Sequence, residues 1–282
     1  MHPHCKRLGL LLSISFLSGS SACKGQKNDF NAYLPPSSQE YERVESQPIE
    51  TPKEILPDVW DLSDTDVSHI DPERKLIAFT FDDGPSKTME NILAVFAEHN
   101  ESNPTCTASA TFFLNGLHLT DENAPLLHTA LLLGCELGNH THFHKDLTKL
   151  SPDEALMEIE RTDQALSRFD GKALHLLRPP FGAISAELKA QLKTPVINWT
   201  IDTLDWTGSS ADDIYNSVYT ARFSGAIVLM HDGHPATVNA LKRLLPDLQA
   251  DGYQVVSVSA LAKAHGCNLH NGKEYIRARK QK

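Results

Sequence analysis

The sequence lacks an excess of basic residues, a CxxC pair and an evident internal repeat. Its 36 acidic residues outnumber its 26 Lys and Arg residues, which gives a formal net charge of −10. Because phosphate binding needs a basic surface, this balance argues against nucleic acid as a partner. Without a CxxC pair, a cysteine-based zinc site is not expected. The 282 residues are 40% hydrophobic, which is enough for one large domain or two small ones.

The sequence also has no long hydrophobic run at its N-terminus, where the apolar stretch 8–17 is too short to span a bilayer. Two basic residues precede this stretch and small residues follow it, the order typical of an export signal. We expect a signal peptide over residues 1–22, and therefore a location in the periplasm or cell envelope. Cys23 would then begin the mature chain and leaves lipid attachment open, although Ser20 stands where a bacterial lipobox normally has leucine. Membrane contact is expected only if Cys23 is lipidated.

The rest of the chain divides into regions that differ in composition and in the pattern of apolar residues. Residues 23–70 are polar and proline-rich and have no periodic apolar face, which indicates a linker or loosely packed arm. From residue 71 onward, short apolar runs alternate with helical patterns. The predicted strands are 76–81, 110–114, 173–177, 196–201, 226–230 and 253–258, and the main predicted helices are 151–168, 185–193, 210–222 and 236–250. This alternation predicts an α/β domain over 71–270, a closed or nearly closed β/α barrel, followed by a basic tail over 271–282.

Two adjacent carboxylates, Asp82 and Asp83, end the first predicted strand. Neighbouring carboxylates repel, so the pKa of one should rise unless a cation lies beside them. His140 and His144 have the four-residue spacing with which two imidazoles can bind one metal ion. A solvated histidine-rich loop is the alternative interpretation of that spacing. Together with Asp83, however, they make two imidazoles and one carboxylate, a ligand set that leaves a coordination position open for water.

Polar residues also follow three later strands, in the segments 178–182, 202–206 and 229–231. Each has an ordinary structural interpretation alone, as a capped loop, an acidic turn or a core histidine. Because the C-terminal ends of barrel strands converge on one mouth, their joint occurrence favours a single site there.

Five motifs, in this order, resemble those of the NodB-type polysaccharide deacetylases, which are also called carbohydrate esterase family 4: TFDDGP (80–85), HTHFH (140–144), RPPFG (178–182), DTLDW (202–206) and LMH (229–231). The resemblance covers about 200 of the 282 residues. It implies a distorted (β/α) barrel and a metal-dependent hydrolase that removes N-acetyl groups from a polysaccharide. One departure is Phe181, where the family commonly has tyrosine.

The resemblance implies a metal site made by Asp83, His140 and His144. The metal expected is Zn²⁺, and Co²⁺, Fe²⁺ or Ni²⁺ also suit these ligands. Asp82 would be the base that takes a proton from the attacking water, and Arg178 would pair with it.

On the opposite wall, the resemblance implies that His231 is the general acid for the leaving amine and that Asp202 orients it. The role of Asp205 in the same motif stays open. The backbone N–H of Phe181 would bind the oxyanion. Trp206 and Leu229 would line the pocket for the acetyl methyl group.

The expected substrate is an envelope glycan, with N-acetylglucosamine of peptidoglycan as the leading candidate. Chitin oligomers or poly-N-acetylglucosamine are alternatives, as is an O-acetyl esterase activity on xylan, since the same site can cleave esters. A glycan-binding pseudoenzyme is a further alternative of a different class. It is disfavoured because the base, the metal ligands and the acid are all present.

Overall fold

A computed structural model describes residues 58–279 of the chain. The predicted signal peptide, Cys23 and most of the predicted linker lie outside these residues. Within them, no helix is both long and apolar enough to cross a membrane. The elements occur in the order β1 (Lys75–Gly84), α1 (Lys87–Ser102), β2 (Thr111–Leu114), α2 (Ala124–Leu132), β3 (Glu136–Asn139), α3 (Pro152–Asp170), α4 (Ala186–Lys189), β4 (Val196–Ile197), β5 (Ile201–Asp202), α5 (Ala211–Ala221), β6 (Ile227–His231), α6 (Pro235–Ala250), β7 (Tyr253–Val256), α7 (Val258–Ala264) and β8 (Glu274–Tyr275).

The main sheet is parallel and closes on itself. Its strands pair in the order β3, β2, β1, β6, β5, and β7 pairs with the beginning of β1. Leu177 forms parallel bridges to Asn139 of β3 and to Val196 of β4. Because β4 leads into β5 after a three-residue interruption, these bridges complete a ring. The predicted distorted (β/α) barrel is confirmed, and the C-terminal ends of its strands share one mouth.

Burial explains why β1 lies at the centre of the sheet. Its residues from Leu76 to Asp82 are all buried, as expected for a parallel strand that is covered on both faces. Outside the barrel, the Phe81 ring stacks on Phe112 at a centroid distance of 5.1 Å, and α1 and α6 add their apolar faces to the same core. Asp82 and Asp83 therefore lie at the C-terminal end of a strand that is buried along nearly its whole length.

Helix α3 is fixed at both ends and along one buried face. Its predicted capping box is confirmed, since Ser151 and Glu154 cap one another, and Gly171 ends the helix with a φ of 74°. At its C-terminal end His175 is buried between two carboxylates, 2.9 Å from Asp163 and 3.2 Å from Asp170. Burial acts to lower the pKa of His175, but these two carboxylates outweigh it and raise that pKa.

The predicted strands 173–177 and 196–201 are largely irregular. The first is reduced to the bridges made by Leu177, and the second is interrupted at residues 198–200. In the second, the carbonyl oxygens of Ile197 and Asn198 accept hydrogen bonds from the buried guanidinium of Arg178, a side-chain contact that a regular strand pattern does not predict.

Both flanks of the domain are more ordered than predicted. Part of the predicted linker, residues 58–70, packs on the barrel: Trp60 donates its backbone N–H to Leu269, and its side chain joins an apolar cluster. Much of the predicted basic tail is also integral, because β8 pairs with β4 and Arg277 bridges to Ala226. Scattered apolar residues without periodicity are buried here by neighbours that are distant in sequence.

Candidate active site

A pocket at the mouth of the barrel brings together all the predicted site residues except Arg178, which lies beneath it. The pocket is lined by Asp82, Asp83, His140, His144, Phe181, Trp199, Asp202, Trp206, Leu229 and His231. Trp199, which was not predicted, follows β4 in the interrupted strand. The C-terminal ends of five strands and the segment after Leu177 therefore supply one site, as is usual for this architecture.

Asp83, His140 and His144 form a group whose possible ligand atoms all lie within 4.8 Å of one another. Oδ1 of Asp83 is 3.5 Å from Nε2 of His140 and 3.3 Å from Nε2 of His144. This oxygen is buried and has no hydrogen-bond partner, which a bound cation would supply. A divalent metal therefore fits these residues.

The protonation of His140 also suits a metal ligand. Its Nδ1–H donates to the carbonyl oxygen of Arg178 at 2.7 Å, which leaves Nε2 to face Asp83. Burial is the largest influence on this ring and lowers the pKa of His140, so the neutral form that binds metal is favoured.

Asp82 and Arg178 make a buried ion pair below the metal-ligand group. Nη1 of Arg178 donates to Oδ1 of Asp82 at 2.7 Å and to Oγ1 of Thr80 at 2.6 Å. The guanidinium is fully buried, and its Cζ lies 4.2 Å from the centroid of the Phe113 ring. Oδ2 of Asp82 remains directed toward His140, 3.6 Å from Nε2. The pair thus fixes one carboxylate oxygen and presents the other to the site.

His231 is oriented by Asp205, so the prediction that Asp202 performs this role is wrong. Asp205 accepts hydrogen bonds from Nδ1 of His231 at 2.7 Å and from its backbone N–H at 2.8 Å. Oγ1 of Thr237 donates a third bond to Asp205 at 2.7 Å. Asp202 lines the pocket but accepts a bond from the backbone N–H of Leu204. Leu204 has a left-handed φ of 53°, and this turn directs Asp205 beneath β6.

These contacts change the acidities of both partners. Burial acts to lower the pKa of His231, but the hydrogen bond to Asp205 and the charge of Asp82 outweigh it and raise that pKa. Burial alone would raise the pKa of Asp205, yet the hydrogen bonds from His231 and Thr237 hold it below its ordinary value. The arrangement favours an ionised carboxylate beside a histidine that carries a proton on Nε2.

The remaining lining residues differ in exposure. Leu229 is buried at the base of the pocket, whereas Phe181 and Trp206 are 69% and 58% exposed at its rim. Phe181 has a left-handed φ of 61°, and its ring lies 5.0 Å from that of His144. Nδ2 of Asn198 donates a hydrogen bond to the carbonyl oxygen of Gly182, the residue after Phe181, and so anchors this loop. The pocket has an apolar base and an aromatic, accessible rim.

Comparison with known sequences places this site among related proteins. A family model described as polysaccharide deacetylase matches residues 69–195. The peptidoglycan-N-acetylglucosamine deacetylase PgdA of Listeria monocytogenes is 35% identical over 203 residues, which are 72% of this chain and 41% of that protein. A peptidoglycan-N-acetylglucosamine deacetylase of Bacillus cereus is 33% identical over 198 residues, covering 67% of this chain and 89% of that protein. The chain thus spans about two fifths of the length of the longer relative.

Comparison with solved structures shows similarity to the same family. The peptidoglycan deacetylase PdaC of Bacillus subtilis is 34% identical with a TM-score of 0.64, covering 70% of this chain and 94% of that one. A family 4 acetyl xylan esterase of Clostridium thermocellum, in complex with a cobalt ion, is 26% identical with a TM-score of 0.66. This match covers 72% of the present chain and 98% of the esterase.

Proposed function

The chain belongs to the polysaccharide deacetylase family, and from that premise we propose that it hydrolyses N-acetyl groups of N-acetylglucosamine in peptidoglycan. The observation that carries the proposal is the arrangement in one pocket of a metal-ligand group, a buried acid–arginine pair and a carboxylate-bound histidine. The metal ligands are Asp83, His140 and His144. Zn²⁺ is the ion we propose for them, and when bound it supplies Lewis-acid activation of a water molecule and of the acetyl carbonyl.

Asp82 is proposed as the general base. Its Oδ1 is held by Arg178, while Oδ2 faces the metal ligands and accepts the proton of the attacking water. The oxygen of that water bonds to the carbonyl carbon and gives a tetrahedral oxyanion. The backbone N–H of Phe181, in the loop anchored by Asn198, is the proposed protein donor to this oxyanion.

His231 is proposed as the general acid. An amine leaves readily only when it is protonated, so a proton must reach the nitrogen as the C–N bond breaks. Asp205 holds Nδ1 of His231, and the proton on Nε2 is therefore the one donated to the leaving nitrogen. Acetate and a free amino sugar result. Leu229 at the base and Trp206 at the rim are the proposed contacts of the acetyl methyl group and the adjacent sugar.

The choice of peptidoglycan is supported by the names of the relatives and by the export signal expected from the sequence. Action on this polymer would place the protein in the cell envelope. A second candidate, an O-acetyl esterase on xylan, is favoured by the structural similarity to an acetyl xylan esterase. An ester leaves more easily than an amide, so this reaction would depend less on protonation by His231.

The test is acetate release by the purified protein with one equivalent of Zn²⁺. Peptidoglycan, N-acetylglucosamine oligomers and acetylated xylan are compared, with Asp82→Asn as the inactive variant and metal content measured for both proteins. We expect release from peptidoglycan by the wild type and none by Asp82→Asn. Faster release from the free oligomers would favour a chitin-type substrate, and release from xylan alone would favour the esterase. Zn²⁺ binding without release from any substrate would overturn the proposal in favour of a glycan-binding role.

A further inference from the structure

The segment that carries the two histidine ligands is held in an unusual backbone conformation. Thr141 has a φ of 65° and His144 a φ of 53°, in the left-handed region that residues with a side chain rarely adopt. Such residues persist only where the surrounding structure determines them. The direction of the His144 imidazole therefore depends on what holds its neighbours.

On the barrel side, the segment after β2 holds the carbonyl groups of this loop. Asn115 donates from Nδ2 to the carbonyl oxygen of His140 at 2.9 Å. The backbone N–H of Gly116 donates to the carbonyl oxygen of Thr141 at 3.0 Å, and that of Leu117 to the carbonyl oxygen of His142 at 3.1 Å. These contacts fix the loop up to residue 142, one residue short of Phe143 and two short of the second ligand.

On the opposite side, Glu158 of α3 contacts both chain neighbours of His144. Its Oε2 accepts a hydrogen bond from the backbone N–H of Phe143 at 2.7 Å, and its Oε1 lies 3.2 Å from Nζ of Lys145. The Glu158 residue is only 4% exposed, so its carboxylate oxygens rely on these two protein partners rather than on solvent. The loop and the helix are thereby joined on either side of a metal ligand.

We propose that Glu158 is a positioning residue of the metal site, which sets the orientation of His144 by holding the residues before and after it. This inference rests on the metal site of the proposed function. Charge-assisted hydrogen bonds are the stronger class, and groups that fix the orientation of metal ligands tune metal affinity. Asp163, on the same face of α3, contacts the loop only at its beginning, by accepting a hydrogen bond from Asn139 at 2.9 Å.

The test measures metal affinity and ligand geometry. Glu158→Leu removes both links, whereas Glu158→Gln and Lys145→Met each remove the ion pair and keep an acceptor for the Phe143 N–H. Leu166→Ala, a buried core substitution two turns further along α3, is the matched control for general destabilisation. Zn²⁺ affinity is measured by calorimetry, and ligand geometry by the visible absorption of the Co²⁺-substituted proteins.

We expect Glu158→Leu to weaken Zn²⁺ binding by up to about tenfold and to alter the Co²⁺ bands. This is the lower end of the loss caused by removing a partner bonded directly to a ligand, because Glu158 holds the neighbours of His144 and not the imidazole itself. Glu158→Gln and Lys145→Met should give smaller and similar losses. Leu166→Ala should lower the unfolding midpoint but leave both metal readouts unchanged. If the wild type binds Zn²⁺ and the folded Glu158 and Lys145 variants bind it equally well with unchanged spectra, the inference is wrong while the proposed function stands. A wild type that binds no divalent metal would overturn both.

Discussion

The contact between His231 and Asp205 predicts how deacetylation depends on pH. His231 is the proposed general acid and must carry a proton to act as one, so activity should be lost as pH rises through its pKa. Burial opposes that proton, but the hydrogen bond to Asp205 and the charge of Asp82 outweigh burial and raise the pKa of His231. Replacing Asp205 with Asn removes one of these negative charges. The pKa of His231 should therefore fall, and the loss of activity should begin at lower pH.

The size of the effect follows from the bond that is weakened. Asp205 accepts the Nδ1–H of His231 at 2.7 Å in a mostly buried setting, and a hydrogen bond to a charged group contributes about 1.5–3 kcal/mol. Since about 1.4 kcal/mol corresponds to a factor of ten in rate, Asp205→Asn should reduce kcat at pH 8 by about tenfold to a hundredfold. The assay is acetate release from N-acetylglucosamine oligomers between pH 5 and 10, with the metal site saturated.

Two further variants make this prediction refutable. Asp202→Asn should leave the alkaline limit of activity in place, because Asp202 accepts its hydrogen bond from Leu204. Thr237→Val removes the third bond to Asp205 but keeps the charge, and it controls for local loosening. If Asp202→Asn shifts the profile and Asp205→Asn does not, the assignment of the orienting residue is wrong.

Three other substitutions test the remaining parts of the structure. Arg178→Met strands the buried Asp82 carboxylate and should lower the unfolding free energy by about 3–5 kcal/mol in urea titrations; an unchanged midpoint would contradict the buried pairing. His175→Gln should lower the unfolding free energy most below pH 6.5, the ordinary histidine pKa. The loss should become smaller as pH rises through the raised pKa of His175 in the folded protein. A loss of unfolding free energy that does not change with pH would show that His175 is not an imidazolium. Trp206→Ala, at an exposed rim position, should raise KM severalfold without changing metal affinity or unfolding midpoint; an altered midpoint would indicate a structural role instead.

Much of the barrel could be predicted because its strands are short, buried and separated by helices. The N-terminal half of β1 and the strands 226–230 and 253–258 were placed within a few residues of where they lie. The grouping of Asp83, His140 and His144 could be predicted because two imidazoles four residues apart and two adjacent acids at a strand end are local patterns in the sequence. In contrast, α2 and β3 were missed, since β3 is only four residues long and contains a glycine.

The errors share a physical cause, which is dependence on contacts distant in sequence. Asp202 ends β5 and Asp205 follows three residues later, after a left-handed turn at Leu204, and it is Asp205 that contacts His231. Trp60 was assigned to a linker because its segment has no apolar period, yet it packs beside residues that follow 200 positions later, such as Leu269. The local sequence pattern indicates neither which aspartate contacts His231 nor that Trp60 packs on the barrel.

Because Arg178 and Asp82 form a buried ion pair, a substitution at Asp82 affects the stability of the fold as well as the proposed chemistry. A mutation that removes Asp82, the proposed base, leaves a cation unpaired inside the barrel, so the variant is expected to lose stability together with the proposed proton transfer. The Asp83 and His144 side chains, by contrast, are 40% and 34% exposed and can change with little effect on packing. Lineages that lose turnover while staying folded are therefore expected to retain Asp82 and Arg178 and to lose a metal ligand first.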